Sequence, residues 1–192
     1  MIWGRRLLPA LAGFALVAPA VAQGGFQSLF DGTSLAGWTT AGEGAWRVED
    51  GTLSADAGPT TFLVSNGSYR DFELRVEFWV SEDANSGVFI RCASRTAISA
   101  SACYEVNIYD TRPDPTYGTG AIVDVAAVSP MPKAGGRWNR MVIVARGDTF
   151  SVTLNGRRTV EAARDSAHRE GPFALQRGAG TVRFRTVEIR PL

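Results

Sequence analysis

The sequence predicts an all-β fold: a sandwich of two antiparallel sheets packed face to face. Three observations predict it. Nearly every segment after Gln23 alternates apolar and polar residues with period two, and none keeps an apolar helical stripe for three turns. The runs are short, and turn residues separate them at the density expected of a sandwich or barrel. The clearest run, Asp71 to Val80, directs Phe72, Leu74, Val76, Phe78 and Val80 to one face and Glu73, Arg75, Glu77 and Trp79 to the other. It reads as a strand with one dry and one wet side.

In chain order, the first residues have the charged, apolar and small-residue sequence of a secretory signal peptide. Arg5 and Arg6 precede an apolar run from Leu7 to Val21, which ends in Ala20-Val21-Ala22. As a membrane anchor that run is shorter than the roughly 20 residues a bilayer needs, and Pro9 and Pro19 interrupt it. The expectation is a leader over residues 1–22, a single domain over residues 23–192, and a periplasmic or secreted location. Strands are then expected at Trp46–Val48, Thr52–Ser54, Thr61–Val64, Gly87–Cys92, Cys103–Tyr109, Arg140–Arg146, Thr149–Leu154, Phe173–Gln176 and Thr181–Ile189. Asp50-Gly51 and Asn155-Gly156 have the composition of tight hairpin turns, and Gly147-Asp148 joins two further strands. Near the end, Val182 and Phe184 share one phase and Val187 and Ile189 the other, which a bulge near Thr186 reconciles. The prolines and glycines of Asp110–Gly120 and Ser129–Gly136 make both stretches long irregular loops, where binding groups tend to sit. The charged, alanine-rich stretch Glu161–Arg169 admits a helical turn.

Composition excludes several function classes. Taking the two leader arginines from 20 basic residues leaves one more acid than base, so nothing points to nucleic acid, and no second apolar span suggests a membrane partner. A single histidine, His168, rules out a multi-histidine metal site, and in its polar surroundings it reads as a solvated loop residue. No Gly-rich phosphate loop leads from a strand into a helix. The only cysteines, Cys92 and Cys103, read as a disulfide in an exported protein, with free thiols as the alternative.

What remains is a set of polar groups on one presumed outer face. On Tyr104–Tyr109, alternation turns Val106 and Ile108 inward and Glu105, Asn107 and Tyr109 outward. On Gly87–Arg91 the face opposite Val88 and Ile90 carries Phe89 and Arg91. Pairing of the cysteines makes these two strands a hairpin with Arg91 close to Glu105, and Glu77 and Trp79 are placed as an extension of the same surface. A carboxylate, an arginine fork, amides and rings on one face suit an oligosaccharide, whose hydroxyls need polar partners and whose C–H face stacks on rings. A solvated sheet face with weak surface ion pairs is the plainer reading of the same residues.

Several segments, in order and spacing, resemble the 3-keto-disaccharide hydrolase family. They are Phe30-Asp-Gly-Thr-Ser-Leu-Ala-Gly-Trp38, Trp46 to Leu53, Tyr69 to Phe78, Asn85-Ser-Gly-Val-Phe-Ile-Arg91, Tyr104-Glu-Val106, Trp138-Asn139, Gly171 to Gln176 and Val182-Arg-Phe-Arg. The resemblance implies a concanavalin A-like jelly roll and an exported enzyme that cleaves glycosides oxidised to a ketone at C3, by hydrolysis or by elimination and hydration. It implies Glu105 as base or metal-associated carboxylate and Arg91 as clamp for the enolate or a hydroxyl. Asn107, Asp110, Lys133 and Gln176 would complete the substrate site. No cofactor follows with certainty, and a divalent metal stays open. One departure matters: relatives commonly follow Leu-Gln with Asp-His-Gly, and this chain has Leu175-Gln176-Arg177-Gly178. The missing carboxylate and imidazole keep a second reading in play, a non-catalytic carbohydrate-binding module on the same scaffold.

Overall fold

The computed structural model describes residues 25–192, and the expected leader over residues 1–22 lies outside them. Among the described residues thirteen strands form two antiparallel sheets, and one 3-10 turn lies in a loop. The larger sheet contains β1 (Gln27–Ser28), β3 (Arg47–Glu49), β4 (Thr52–Ala55), β6 (Phe72–Val80), β9 (Trp138–Arg146), β10 (Thr149–Leu154), β11 (Arg157–Arg164) and β13 (Val182–Pro191). Its order is β11-β10-β9-β6-β13-β4-β3, with β1 paired to β13. The smaller sheet holds β2 (Trp38–Gly42), β5 (Thr61–Ser65), β7 (Asn85–Ile90), β8 (Tyr104–Ile108) and β12 (Ala174–Ala179), in the order β2-β5-β12-β7-β8. Among the described residues no helix is long and apolar enough to cross a membrane.

The core lies between the sheets and is built from the residues that alternation turned inward. Phe72, Leu74, Val76, Phe78 and Val80 are at most 2% exposed, and Val88, Ile90, Val106 and Ile108 of the smaller sheet at most 1%. Both hairpin turns form where expected: Asp50 and Gly51, and Asn155 and Gly156, all have left-handed φ between 50° and 82°. The register of β13 against β6 slips between Phe184 and Thr186, and this bulge lets Val182, Phe184, Val187 and Ile189 all reach full burial.

Two segments depart from the expectation. Glu161–Arg164 are not helical: they end edge strand β11, where Thr149 faces Arg164 and Phe150 faces Ala163. Register shifts on either side of Val152, together with Ala162 at φ 50°, scramble the alternation that would have marked a strand. Strand β2 was likewise absent from the sequence expectation; its Thr-Thr-Ala-Gly stretch carries little apolar pattern. The Asp110–Gly120 loop is irregular, with a 3-10 turn at Pro115–Tyr117 capped by Asp114, whose side chain accepts from Thr116 N. It then returns along β8. Asn107 N donates to Ala121 O, Gly120 N to Asn107 O and Val123 N to Glu105 O. Residues 120–123 thereby cover the free edge of β8 and leave Glu105 and Asn107 inside the sheet.

Candidate functional site

The site is assembled by register on the outer face of the smaller sheet. Gln176 faces Gly87 across the β12–β7 pair, and Gly87 faces Asn107 across the β7–β8 pair, so one row runs Gln176, Gly87, Asn107. In the neighbouring row of the same face Phe89 stands opposite Glu105. The centre of this arrangement has no side chain. A Cβ on Gly87 would lie 3.3 Å from Glu105 Oε1 and 3.3 Å from Phe89 Cε2, so glycine here lets the carboxylate and the aromatic ring lean in over the strand, and the shallow hollow is the space they frame. Three residues predicted from the sequence, Glu105, Asn107 and Gln176, therefore meet around one gap.

The electrostatics of the hollow are unusual for a sheet surface. Glu105 takes part in none of the ion pairs found among the described residues. Burial raises its carboxyl from an ordinary 4.5 to about 7; the Arg112 charge pulls in the opposite direction, and the Asp124 charge adds to the rise. Asn107 Nδ2 donates to Tyr117 O at 2.6 Å, but its Oδ1 is buried with no partner, and so is Gln176 Oε1. Buried acceptors without donors are costly and uncommon, and hydroxyl donors brought within reach would satisfy both. Among the described residues no group of three His, Cys, Asp or Glu side chains is arranged to hold a metal. One carboxylate and two amide oxygens carry too little charge to hold a divalent cation firmly, and no step below depends on one.

Other expected site residues stand elsewhere. Arg91 does not share the hollow. Alternation was extended one residue too far, for Arg91 follows the end of β7 with φ 51°, and this left-handed residue throws the side chain inward. It is 1% exposed; Nε donates to Arg70 O (2.7 Å), Nη1 to Gly147 O (2.7 Å), and Nη2 pairs with Asp71 Oδ1 (3.1 Å), while the guanidinium lies 5.0 Å above the Phe150 ring. Those contacts brace the end of the sandwich, beneath a separate cavity of about 530 Å³ lined by Arg70, Asp71, Asp148, Ser166, His168 and Arg169. His168 is half-buried there, its ring edge-on to Tyr104 at 5.2 Å, and not the freely solvated residue expected.

Glu77 and Trp79 also leave the site. They lie on β6 of the larger sheet and face away from the core, which puts them on the opposite outer surface of the sandwich. There Glu77 Oε2 accepts from Arg185 Nε at 3.0 Å and Thr186 Oγ1 at 2.9 Å, and Arg183 lies 5.4 Å above the Trp79 ring. Alternation gives a residue's side of its own sheet but not which sheet it belongs to. Asp110 is a loop clamp: its carboxylate accepts from Thr119 Oγ1 (2.6 Å), Ala134 N (2.8 Å) and Gly135 N (2.8 Å). Lys133 Nζ donates to the Asp110 carbonyl, so this pair holds the two long loops together beside β8.

Sequence reasoning missed Arg112 and Asp124, which come from loops whose return along β8 had no signal in the pattern. It also missed the dry half of the face. Phe62, opposite Gln176 across the β5–β12 pair, meets Phe89 edge-to-face with centroids 5.3 Å apart. Around them Ala41, Val64, Ala174 and the sulfur bridge form a second apolar cluster, outside the main core. Cys92 and Cys103 are bonded, tying β7 to β8 at one end of the hollow. Arg177, which stands where relatives carry the aspartate, turns away from the hollow and donates to Gly58, Asp56 and Gly180 carbonyls.

Comparison with known proteins gives the family and the fold. Residues 25–190 match the model of the 3-keto-alpha-glucoside-1,2-lyase-like domain. A 3-keto-disaccharide hydrolase of Bacteroides thetaiotaomicron is 27% identical over 169 residues, covering 71% of this chain and 58% of the relative, so the chain spans little more than half the length of that protein. Among solved structures, a Parabacteroides distasonis protein described provisionally as a glycosyl hydrolase superposes with TM-score 0.76 at 17% identity over 88% of this chain and 94% of its own. The carbohydrate-binding module CBM66 of Bacillus subtilis does so with TM-score 0.65 at 21% identity over 82% and 98%. At such identities the superpositions establish the fold, the concanavalin A-like jelly roll that glucanases also adopt. The chain belongs to the 3-keto-alpha-glucoside-1,2-lyase-like domain family.

Proposed function

We propose that this chain cleaves glycosides oxidised at C3, in the hollow over Gly87, with Glu105 as the base that removes the C2 proton. One observation carries the reading: a carboxyl with no ionic partner, raised to about 7, beside two unpartnered amide oxygens. A ketone at C3 acidifies the C2–H bond, so a carboxylate near neutral pKa is matched to the task. In the step, Glu105 takes the C2 proton, the C–H electrons form the C1–C2 double bond, and the C1–O bond breaks with its electron pair on the aglycone oxygen. That oxygen collects a proton, either from the Glu105 carboxyl or from water. Water adding across the new double bond would complete a net hydrolysis. The positive charge of Arg112, acting on the same region, offsets negative charge developing on the C3 oxygen. Asn107 and Gln176 hold ring hydroxyls. Arg91 has no part in the chemistry on this account and supports the fold.

Incubation with a 3-keto-disaccharide should release a monosaccharide or a 2-hydroxyglycal product, and Glu105→Gln should abolish that release. A second reading is favoured by the missing Asp-His pair: the outward position after Gln176 is Gly178, so no imidazole reaches the face. On that reading the hollow binds sugars without turnover, and binding of ordinary oligosaccharides with no cleavage of any 3-keto-glycoside would establish it. We further propose export to the periplasm or medium, which the disulfide supports, since such bonds persist in oxidising compartments. Mass determination of the mature N-terminus tests cleavage near Gln23.

A further inference from the structure

The face around Glu105 is chemically divided, and nothing in the reaction so far uses its second half. On the β8 side of Gly87 stand Glu105 and Asn107, and on the β12 side Gln176 is the last polar group before Phe62. Beyond Gln176 the face turns apolar: Phe62 packs over the buried Val64, Ala174 and Phe89, and the cluster continues to the sulfur bridge and to Ile98 and Ala102 of the loop that the bridge closes. Phe62, Ile98 and Ala102 are the partly buried members, and the two larger form its open surface; Phe89 and the cysteines lie beneath. The orientation of Phe62 is set by its edge-to-face contact with Phe89.

The polar groups that border this half already bond within the protein. Thr39 at the far edge of the row is bonded to Asn66 Oδ1 at 2.8 Å. In the loop, Ser94 and Thr96 pair with each other, as do Ser99 and Ser101, at 3.2 and 3.0 Å, and the Arg95 guanidinium donates to Asn66 O. Sugar hydroxyls laid over the Phe62 and Ile98 side chains would lose water without gaining hydrogen bonds, whereas an apolar ring would lose nothing.

From this division, and resting on the catalytic reading above, we infer that Phe62 and Ile98 form an aglycone shelf, and that the preferred substrates are 3-keto-glycosides of aryl or other apolar aglycones over 3-keto-disaccharides. The shelf adjoins Phe89, which faces Glu105 across the β7–β8 pair, so a sugar seated over Gly87 can direct its C1 substituent onto it.

The test compares kcat/KM for a 3-keto-glucoside bearing a phenyl aglycone with that for a 3-keto-disaccharide of the same anomer, in wild type and in Phe62→Ser. Wild type should favour the phenyl substrate by about tenfold, the scale on which an apolar pocket discriminates, and Phe62→Ser should collapse the ratio toward one. The same pair of ligands is titrated calorimetrically into Glu105→Gln, which binds without turnover. Tighter binding of the phenyl ligand there supports the shelf even if wild type cleaves neither substrate, an outcome that would overturn only the catalytic reading. Equal or tighter binding of the disaccharide, or a ratio that Phe62→Ser leaves unchanged, overturns the shelf.

Discussion

Replacing Glu105 by glutamine should make stability respond to pH in a way opposite to that of most carboxylate substitutions. Paired carboxylates usually have lowered values in the fold and contribute stability that acid removes. Glu105 is raised, from 4.5 to about 7, chiefly by burial. Below its unfolded value both states hold the proton and the group is neutral to stability. As pH rises from 4.5 toward 7 the unfolded chain ionises while the folded chain still holds its proton, so stability falls with pH, and the loss is complete once the folded carboxyl has also ionised. The full shift corresponds to at most about 3 kcal/mol, an upper bound because the side chain is partly exposed. Glutamine keeps the shape and removes the charge. Denaturant unfolding of both proteins across about pH 4 to 9 should give a stability difference near zero at the acid end, growing to about 2–3 kcal/mol in favour of Glu105→Gln at the alkaline end. Taking the difference cancels every other titrating group. A flat difference, or a glutamine variant less stable at alkaline pH, would refute the placement of an unpaired, buried carboxyl over Gly87. The same value fixes the kinetics, since a base must be ionised: kcat/KM should rise through an apparent pKa near 7, with the limb absent from any residual activity of the variant.

Arg91→Met should lower stability by about 3–5 kcal/mol in denaturant unfolding, because it removes the buried cation that holds the Arg70 and Gly147 carbonyls and the Asp71 carboxylate; a loss of kcat/KM without loss of stability would return Arg91 to the chemistry. Substituting both cysteines by alanine should cost about 2–3 kcal/mol for so short a closed loop, read from the midpoint shift at unchanged slope. Gly87→Val should fill the hollow against Glu105 Oε1 and Phe89, lowering kcat/KM about tenfold or more while circular dichroism stays that of a folded sandwich. Trp79→Ala, on the opposite sheet, is the control that should leave turnover unchanged.

The parts legible from the sequence were those that local periodicity dictates. β6 alternates without a break over nine residues, and the bulge that lets both phases of β13 reach the core followed from Val182, Phe184, Val187 and Ile189 alone. Glu105 and Asn107 were readable for the same reason: they sit mid-strand, where phase is secure. The failures came where a single backbone dihedral or long-range pairing decides. Arg91 turned inward on one left-handed φ, which no residue type in Phe89-Ile90-Arg91-Cys92 announces. Glu77 and Trp79 had the right phase on the wrong sheet, since β6 pairs with β9 and β13 and not with β7. β11 was hidden by register slips and by Ala162, and Arg112 and Asp124 reach Glu105 only because residues 120–123 fold back along β8. The hollow itself depends on an absent side chain, that of Gly87, which gains meaning only once Gln176 and Asn107 are known to flank it.

In the proposed mechanism Glu105 removes the proton on C2. A 3-keto-disaccharide carrying deuterium at C2 tests this directly, with mass spectrometry of the released keto-sugar and a buffer-only control for uncatalysed exchange. Wild type should release product that has lost the deuterium at a rate matching cleavage, and Glu105→Gln should do neither. Release of a monosaccharide that retains its C2 deuterium would mean that the glycosidic bond breaks without C2 deprotonation, and the role given to Glu105 would be wrong.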